Sequence, residues 1–520
     1  MSRSSQRSLG LVGVLLALVP LIAHGQPRDS QDDQEIRTSL QKIVTVYHLT
    51  ASQLADPVDP DKAIYEGAIR GALSRLDPFS TFLDADQFQA LQQQQRGVQQ
   101  GFGAILNVQS GRVTVLQSLP GSPFGRAGLG PGDRIVKING HSVASMDLQE
   151  LVEVLQQART GRVRLAVLQS GKVVAQDFEL DPAELPSPTV DKKFLLTPNV
   201  GYLHLARIEE SAPGEIKTIL EDWKEKNLQG LILDLRDNPG GSLEPAVAIA
   251  SLFLEPGQVV VSFGGHAVPR QEYRVKSLPV WRDLPLVVLV NGRTASAAEI
   301  IAAAFQDHDR AWVVGEPSFG KGVVESVMPL SSGVALALTT AQYFTPRGRS
   351  VQRPLPGTAL ADILNQSGKK FFSDSGRPLA EGGGVQPDQE ASSWKLDPWA
   401  ELLGQSTAFT NFAESYIERH GKVDESFQVD DSVLDEFERF LLEARAPIPP
   451  QSWMTFLPFL KVRIKTEMFN LIFGVARGDE VEVGGDPQVA SAVQALGQAQ
   501  ELLRQKGQSQ GRDVVARSRD

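Results

Sequence analysis

The sequence predicts a multidomain α+β protein, with a helical region, a small strand-and-turn domain, an α/β core and a helical extension following one another along the chain. Three observations predict it. The 520 residues exceed what one hydrophobic core organises and imply three or four domains. The apolar spacing switches near residue 97 from a helical period to short strands between glycine turns, and near residue 190 to alternating strands and helices. Two largely apolar runs, 230–235 with Asp234 inside it and 286–290, read as strands buried on both faces, as in a sheet covered by helices.

The first 25 residues stand apart from this order. Arg3 and Arg7 precede an uncharged apolar run from Leu9 to Ala23, and Ala23-His24-Gly25 puts small residues where a signal peptidase cuts. Residues 1–25 are expected to be a signal peptide, with Gln26 as the mature start. The alternative is an uncleaved anchor, for which the run is short of the about 20 apolar residues a spanning helix needs. The expected location is therefore exported, most simply periplasmic, with membrane association if the segment is retained.

The helical region covers 31–96. Ile36, Leu40, Ile43, Val44 and Tyr47 recur at helical spacing, as do Ile64, Ala68, Ile69 and Leu73 behind a candidate N-cap at Asp61. Leu76-Asp-Pro-Phe-Ser80 interrupts this pattern, and 88–95 forms a glutamine-rich helix. The small domain covers 97–182, with strands at 113–116, 134–138, 163–168 and 173–180 and a helix at 148–157. Pro182, Pro186 and Pro188 mark a linker. The α/β core covers 190–390, with strands at 200–205, 230–235, 286–290, 312–314, 323–327 and 334–343 and helices at 213–226, 244–253 and 296–305. Residues 394–505 are helical again, at 433–442, 456–473 and 487–504. A polar tail without stable structure is expected over 506–520.

Composition removes several function classes. Without cysteine there is no disulfide, zinc–cysteine site, thiol nucleophile or acylated lipoprotein anchor. A formal net charge of −11 argues against nucleic acid as a general partner. No pair among the seven histidines has metal-ligand spacing on a helix, so no metal is expected. The glycines at 128–132 lack the strand-then-helix setting of a dinucleotide site.

Three segments carry candidate chemistry. Asn291-Gly-Arg-Thr-Ala-Ser296-Ala-Ala-Glu299 places a serine between a buried strand and a helix, where free helix-terminal amides favour negative charge. Position alone explains Ser296 or Thr294 equally as an N-cap. Lys321 lies in Glu316-Pro-Ser-Phe-Gly-Lys-Gly322, between glycines that suit a tight inward turn. A lysine base must be neutral, which burial achieves by lowering an ordinary value of about 10.4 by several units; a solvated loop lysine is the plainer reading. Asp234-Leu-Arg-Asp-Asn-Pro-Gly-Gly241 ends a buried strand at a sheet edge, where backbone amides serve either an oxyanion hole or an ordinary turn. Ser-x-x-Lys occurs at Ser39, Ser318 and Ser367 without a Lys-Thr-Gly companion, which makes a penicillin-binding type of acyl hydrolase a poor match.

Taken in order, these pieces resemble the carboxyl-terminal processing, or tail-specific, serine protease family with its PDZ domain. The resemblance spans roughly 35–390. Leu76-Asp-Pro-Phe-Ser is similar to that family's Leu-Asp-Pro-His-Ser. Residues 101–140, with Gly-Ser-Pro and Ala-Gly-Leu-x-x-Gly-Asp-x-Ile, look like its PDZ domain, and 190–390 like its α/β serine–lysine protease core. Asp-Leu-Arg-x-Asn-Pro-Gly-Gly, Thr-Ala-Ser-Ala-x-Glu-Ile and Phe-Gly-Lys-Gly match in order, and Gln342–Ser350 and Gly384–Asp388 resemble its closing elements.

The resemblance implies Ser296 as nucleophile and Lys321 as its base. It implies Ala297 with Gly240 or Gly241 as oxyanion donors, and Gly101, Phe102, Gly103, Ala104 and Ile105 as the site that captures a substrate's C-terminal tail. No cofactor is implied. The implied partners are protein or peptide substrates with a free C-terminus, an adaptor or activator protein, and further copies of the chain. Two positions depart from the family pattern. Glu325 stands where a glutamine often orients the lysine, and an ionised glutamate would favour the charged lysine. Ala298 stands where serine is common. Glu325 leaves one alternative open, an inactive PDZ scaffold.

Overall fold

The computed structural model describes residues 30–517 apart from 57–58, 61, 96–97, 120, 160, 187, 356–368, 422 and 447. The expected signal peptide lies outside the described residues.

A six-stranded sheet among the described residues forms the middle of the core. Its order is Val190–Thr197, Val200–Leu205, Gly230–Asp234, Leu286–Val290, Trp312–Gly315 and Gln389–Glu390. Only the first pair is antiparallel. Every residue of Gly230–Asp234 and of Leu286–Val290 is buried. Helices cover both faces. On one, Ala212–Asp222, Leu243–Ser251 and Ala297–Asp307 pack on Leu231, Leu233, Val288 and Val290. On the other, Val483, Val489, Ala492, Ala495 and Ala499 pack on Tyr202, Ile232, Val287, Leu289 and Val314.

That second layer corrects the expected boundary between core and extension. The helices Val475–Gly484 and Pro487–Gln494, with the start of Leu496–Arg517, complete the core itself. A parallel sheet needs both faces covered, and the chain supplies its second cover from its far end. The preceding helices between Pro398 and Phe473 form a separate cluster around Phe409, Phe412, Phe437, Leu460, Ile464 and Met468. The tail also departs from expectation, because the helix Leu496–Arg517 continues through it to Arg517. Extending a helix already anchored by Ala499 and Leu502 costs less than starting one.

The strands 323–327 and 334–343 leave the α/β order. As Val323–Pro329 and Ala335–Phe344 they form an antiparallel sheet with Val259–Gly264 and Gln271–Arg274. Thr81–Leu83 joins it, pairing with residues 335–337. The Leu76–Ser80 break therefore leads into a strand that belongs to the core.

The small domain is a six-stranded antiparallel sheet beside the helix Leu148–Ala158, which opens with a reciprocal Asp147–Glu150 cap. The linker prolines do not leave it loose: Ala183–Pro186 pairs with Val98–Gly101. The helical cluster also holds it, through an Arg112–Glu414 ion pair and through Leu116 packed on the cluster.

Val489, 2% exposed against the sheet, tests the reassigned layer. Val489→Ala should lower stability by ~2 kcal/mol, read from the urea midpoint. Leu402→Ala, at a side chain 70% exposed, should stay within about 0.5 kcal/mol.

Candidate active site

Loops following three neighbouring strands of the core sheet converge at its C-terminal edge. The turn after Gly230–Asp234 supplies the glycines, the loop after Leu286–Val290 supplies Ser296, and the loop after Trp312–Gly315 supplies Lys321. Backbone and hydroxyl bonds lace them together. The Ala295 amide donates to the Asn238 carbonyl at 2.9 Å, and Phe319 N–H to the Thr294 carbonyl at 2.9 Å. Thr294 Oγ1 donates to the Leu235 carbonyl at 2.7 Å, so Thr294 ties two loops together.

Ser296 sits immediately before the helix Ala297–Asp307 with φ 57° and ψ −119°. A non-glycine residue held there stores about 1–3 kcal/mol of strain, which the surrounding bonds must sustain. Its side chain is fully buried, and Oγ has no hydrogen-bond partner. The Glu299 side chain accepts from Ser296 N as in a reciprocal cap, while Oγ completes no bond of its own.

Gly240 explains how the elbow is backed. Its φ is +100°, and a Cβ there would lie 2.8 Å from Ala295 O and 2.9 Å from Ala297 N. Its amide donates to Asn238 Oδ1 at 2.8 Å. Gly240 is thus engaged in its own turn in this conformation. Gly241 and Ala297 remain the candidates.

Lys321 is 1% exposed. Its Nζ bonds the Glu325 carboxylate and lies 5.0 Å from the centre of the Phe79 ring. The amides of Ser296 and Lys321 meet at one carboxylate, Glu299, but their side chains are not hydrogen-bonded to each other. Burial lifts the Glu325 carboxyl above its ordinary range, the Lys321 charge opposes this, and Asp77 adds to the lift.

Glu299 was quoted in the motif but given no role by sequence reasoning. Fully buried in the first turn of the helix, it accepts from Ser296 N at 2.9 Å, Lys321 N at 2.9 Å, Gly320 N at 2.8 Å and the Ser318 hydroxyl. Burial raises this carboxyl, against those four bonds, which favour the anion. Its signal was legible as Ser-x-x-Glu, a helix-start pattern. Asp77 and Phe79 were missed as site neighbours because nothing local links them to residue 321.

Other sequence candidates fall outside the chemistry. Ser318 Oγ donates to Glu299 and accepts from Val385 N at 2.6 Å, so the hydroxyl of this Ser-x-x-Lys serine is committed. His308 bonds Asp374 at 2.8 Å and the Val259 carbonyl at 2.8 Å, not Ser296. Gly101–Ile105 lies apart from this centre, along a cavity of about 500 Å³ in the small domain lined by Phe102, Phe124, Val152, Leu155 and Leu165.

Because Ser296 Oγ is buried and unbonded, Ser296→Ala should leave the urea midpoint unchanged within about 0.5 kcal/mol, or raise it. A serine serving as an N-cap would lose about 1 kcal/mol instead.

Residues 199–359 match peptidase family S41, 114–169 a PDZ domain, and 22–87 the activating protease CtpB N-terminal domain. A carboxy-terminal-processing protease of Bartonella bacilliformis is 31% identical over 346 residues, covering 66% of this chain and 79% of that protein. The carboxy-terminal processing protease CtpA of Bacillus subtilis is 31% identical over 334 residues, covering 63% and 69%. Among solved structures, a photosystem II D1 C-terminal processing protease aligns with TM-score 0.37 and 26% identity over 66% of this chain and 86% of that one. The chain belongs to the carboxy-terminal processing protease family, as a serine-type peptidase carrying a PDZ domain.

Proposed function

We propose that the chain is an exported endopeptidase that captures protein substrates by their C-terminal tails and cleaves them with Ser296 and Lys321. The observation that carries the catalytic part is the convergence at Glu299. One buried carboxylate holds the amides of both residues, and the serine hydroxyl beside it is strained and unbonded. Lys321 takes the Ser296 proton as Oγ attacks the substrate carbonyl. The amides of Ala297 and Gly241 receive the oxyanion at the helix start. The acyl-enzyme then breaks down by attack of water, and Glu325 orients the lysine. Because Ser296 is fully buried here, turnover requires the pocket to open.

Tail capture by Gly101–Ile105 is supported by how that loop is anchored. The Phe102 carbonyl accepts from Phe124 N at 3.0 Å, and the Gly103 carbonyl from Leu119 N at 2.8 Å. In planar trans peptides this turns the Gly103 and Ala104 amides the opposite way, as an anion nest needs. Gly103 holds φ +72°, and a Cβ there would meet Ser122 Cβ at 2.2 Å, so only glycine fits. The apolar lining suits an apolar terminal residue, and Ala104–Gln109, which includes Ile105, is the edge strand on which a tail can pair.

Export rests on Arg3, Arg7 and the apolar run to Ala23. No helix among the described residues is long and apolar enough to cross a membrane. Self-association is supported by the helix Ser30–Gln53, where Ile36, Leu40 and Ile43 are 47%, 55% and 50% exposed. An activator or adaptor protein remains a proposed partner, in line with the match to an activating-protease domain.

Purified protein should cleave an unfolded substrate with an apolar C-terminus, and Ser296→Ala should abolish this. Amidating the substrate's terminus should raise KM about tenfold with kcat little changed. Equal cleavage by the alanine variant would contradict the catalytic assignment, and indifference to amidation the capture site.

A further inference from the structure

We propose that Glu325 is the proton acceptor that makes Lys321 a neutral base. One proton passes from Lys321 Nζ to the Glu325 carboxylate, leaving an amine beside a carboxylic acid. The Nζ–H bond breaks, an O–H bond forms on Glu325, and the electron pair stays on nitrogen. The amine then receives the Ser296 proton and later gives it to the leaving amine of the cleaved peptide. Glu325 keeps its own proton throughout turnover. The inference rests on the Ser296–Lys321 reading above and deepens it.

Geometry supports the transfer. Nζ and the carboxylate are directly bonded, with side chains 1% and 4% exposed. The strand Val323–Pro329 carries a register shift between Val324 and Glu325 against Ala341 and Thr339. Such bulges re-aim a side chain. The Phe79 ring lies 5.0 Å from Nζ.

The two neighbouring carboxylates are committed to other donors, and Glu325 is the one bonded to Nζ. Asp77 accepts from Phe79 N at 2.7 Å, Ser80 N at 2.8 Å, Ser80 Oγ at 2.8 Å and Thr339 Oγ1 at 3.0 Å. Glu299 is engaged by three amides and the Ser318 hydroxyl. At Glu299 burial raises the carboxyl while these bonds oppose the rise. Glu325 turns its carboxylate on Lys321, and burial, with Asp77 nearby, lifts that carboxyl above its ordinary range.

Magnitudes allow the exchange. Free lysine and glutamate differ by about six pK units. Documented buried groups, with glutamate at about 8–9 and lysine at about 5–6, reverse that order. Burial outweighs the pull of Lys321 on the Glu325 carboxyl. Transfer also removes the charge attraction between Nζ and Glu325.

The test is the pH dependence of kcat/KM in full-length protein. Wild type should be nearly flat between about pH 6 and 8, because the pair supplies its own acceptor. Glu325→Gln removes the acceptor, so activity should fall about tenfold between pH 8 and pH 6. Glu325→Asp should be slower but keep the flat profile. An acid limb that moves to lower pH in Glu325→Gln would overturn the proposal, since Glu325 would then merely hold the lysine charged. If the glutamine variant does not fold, fluorophosphonate acylation of wild type decides. A rate flat over that range supports the transfer, and a tenfold fall per pH unit overturns it. Ser296→Ala and Lys321→Ala keep the two readings apart: turnover by either would remove the Ser–Lys assignment itself.

Discussion

The Glu299 carboxylate is the contact on which the rest of the site depends. It accepts from both the amide of Ser296 and the amide of Lys321. A positive-φ serine and a lysine on a glycine-flanked loop are each unfavourable alone. One buried anion shared between them holds both in place, and its four donors offset the cost of burying it. The flanking glycines follow from the same packing. A Cβ on Gly320 would lie 2.9 Å from Arg353 Cβ and 3.0 Å from Gly384 N, and one on Gly322 would lie 2.9 Å from Gln352 N.

A second buried carboxylate connects the site to the far end of the chain. Asp234 accepts from the Tyr202 hydroxyl at 2.7 Å and from Arg236, which continues to Asp486 and Gln488. Burial disfavours the Asp234 charge, yet Arg236 holds its carboxyl below the ordinary value. The turn carrying Gly240 and Gly241 is therefore braced from behind by the helices that cover the sheet. The helical cluster just before them grips the PDZ domain through Glu414. The C-terminal extension thus touches both the module that would hold a tail and the core that would cut it.

Much of this was legible in the sequence where a local pattern carried it. The apolar runs gave the strands Gly230–Asp234 and Leu286–Val290, and the ordered motifs pointed to Ser296, Lys321 and Glu325. What escaped depended on long-range pairing. Thr81–Leu83 meets residues 335–337, and no periodicity reports a partner about 250 positions away. The helices 475–505 showed an apolar face but not which surface it would cover. Gly240 was legible as a turn glycine, whereas the Asn238 side chain that occupies its amide was not. Glu325 could be singled out as unusual, but its direction had to come from the bulge beside it.

The central claim is that Ser296 is a nucleophile activated by Lys321. The most direct measurement is mass-spectrometric mapping of a fluorophosphonate adduct on the full chain. A single adduct on Ser296, absent from Lys321→Ala, is the predicted result. An adduct on Ser318, or undiminished labelling of Ser296 in Lys321→Ala, would contradict it.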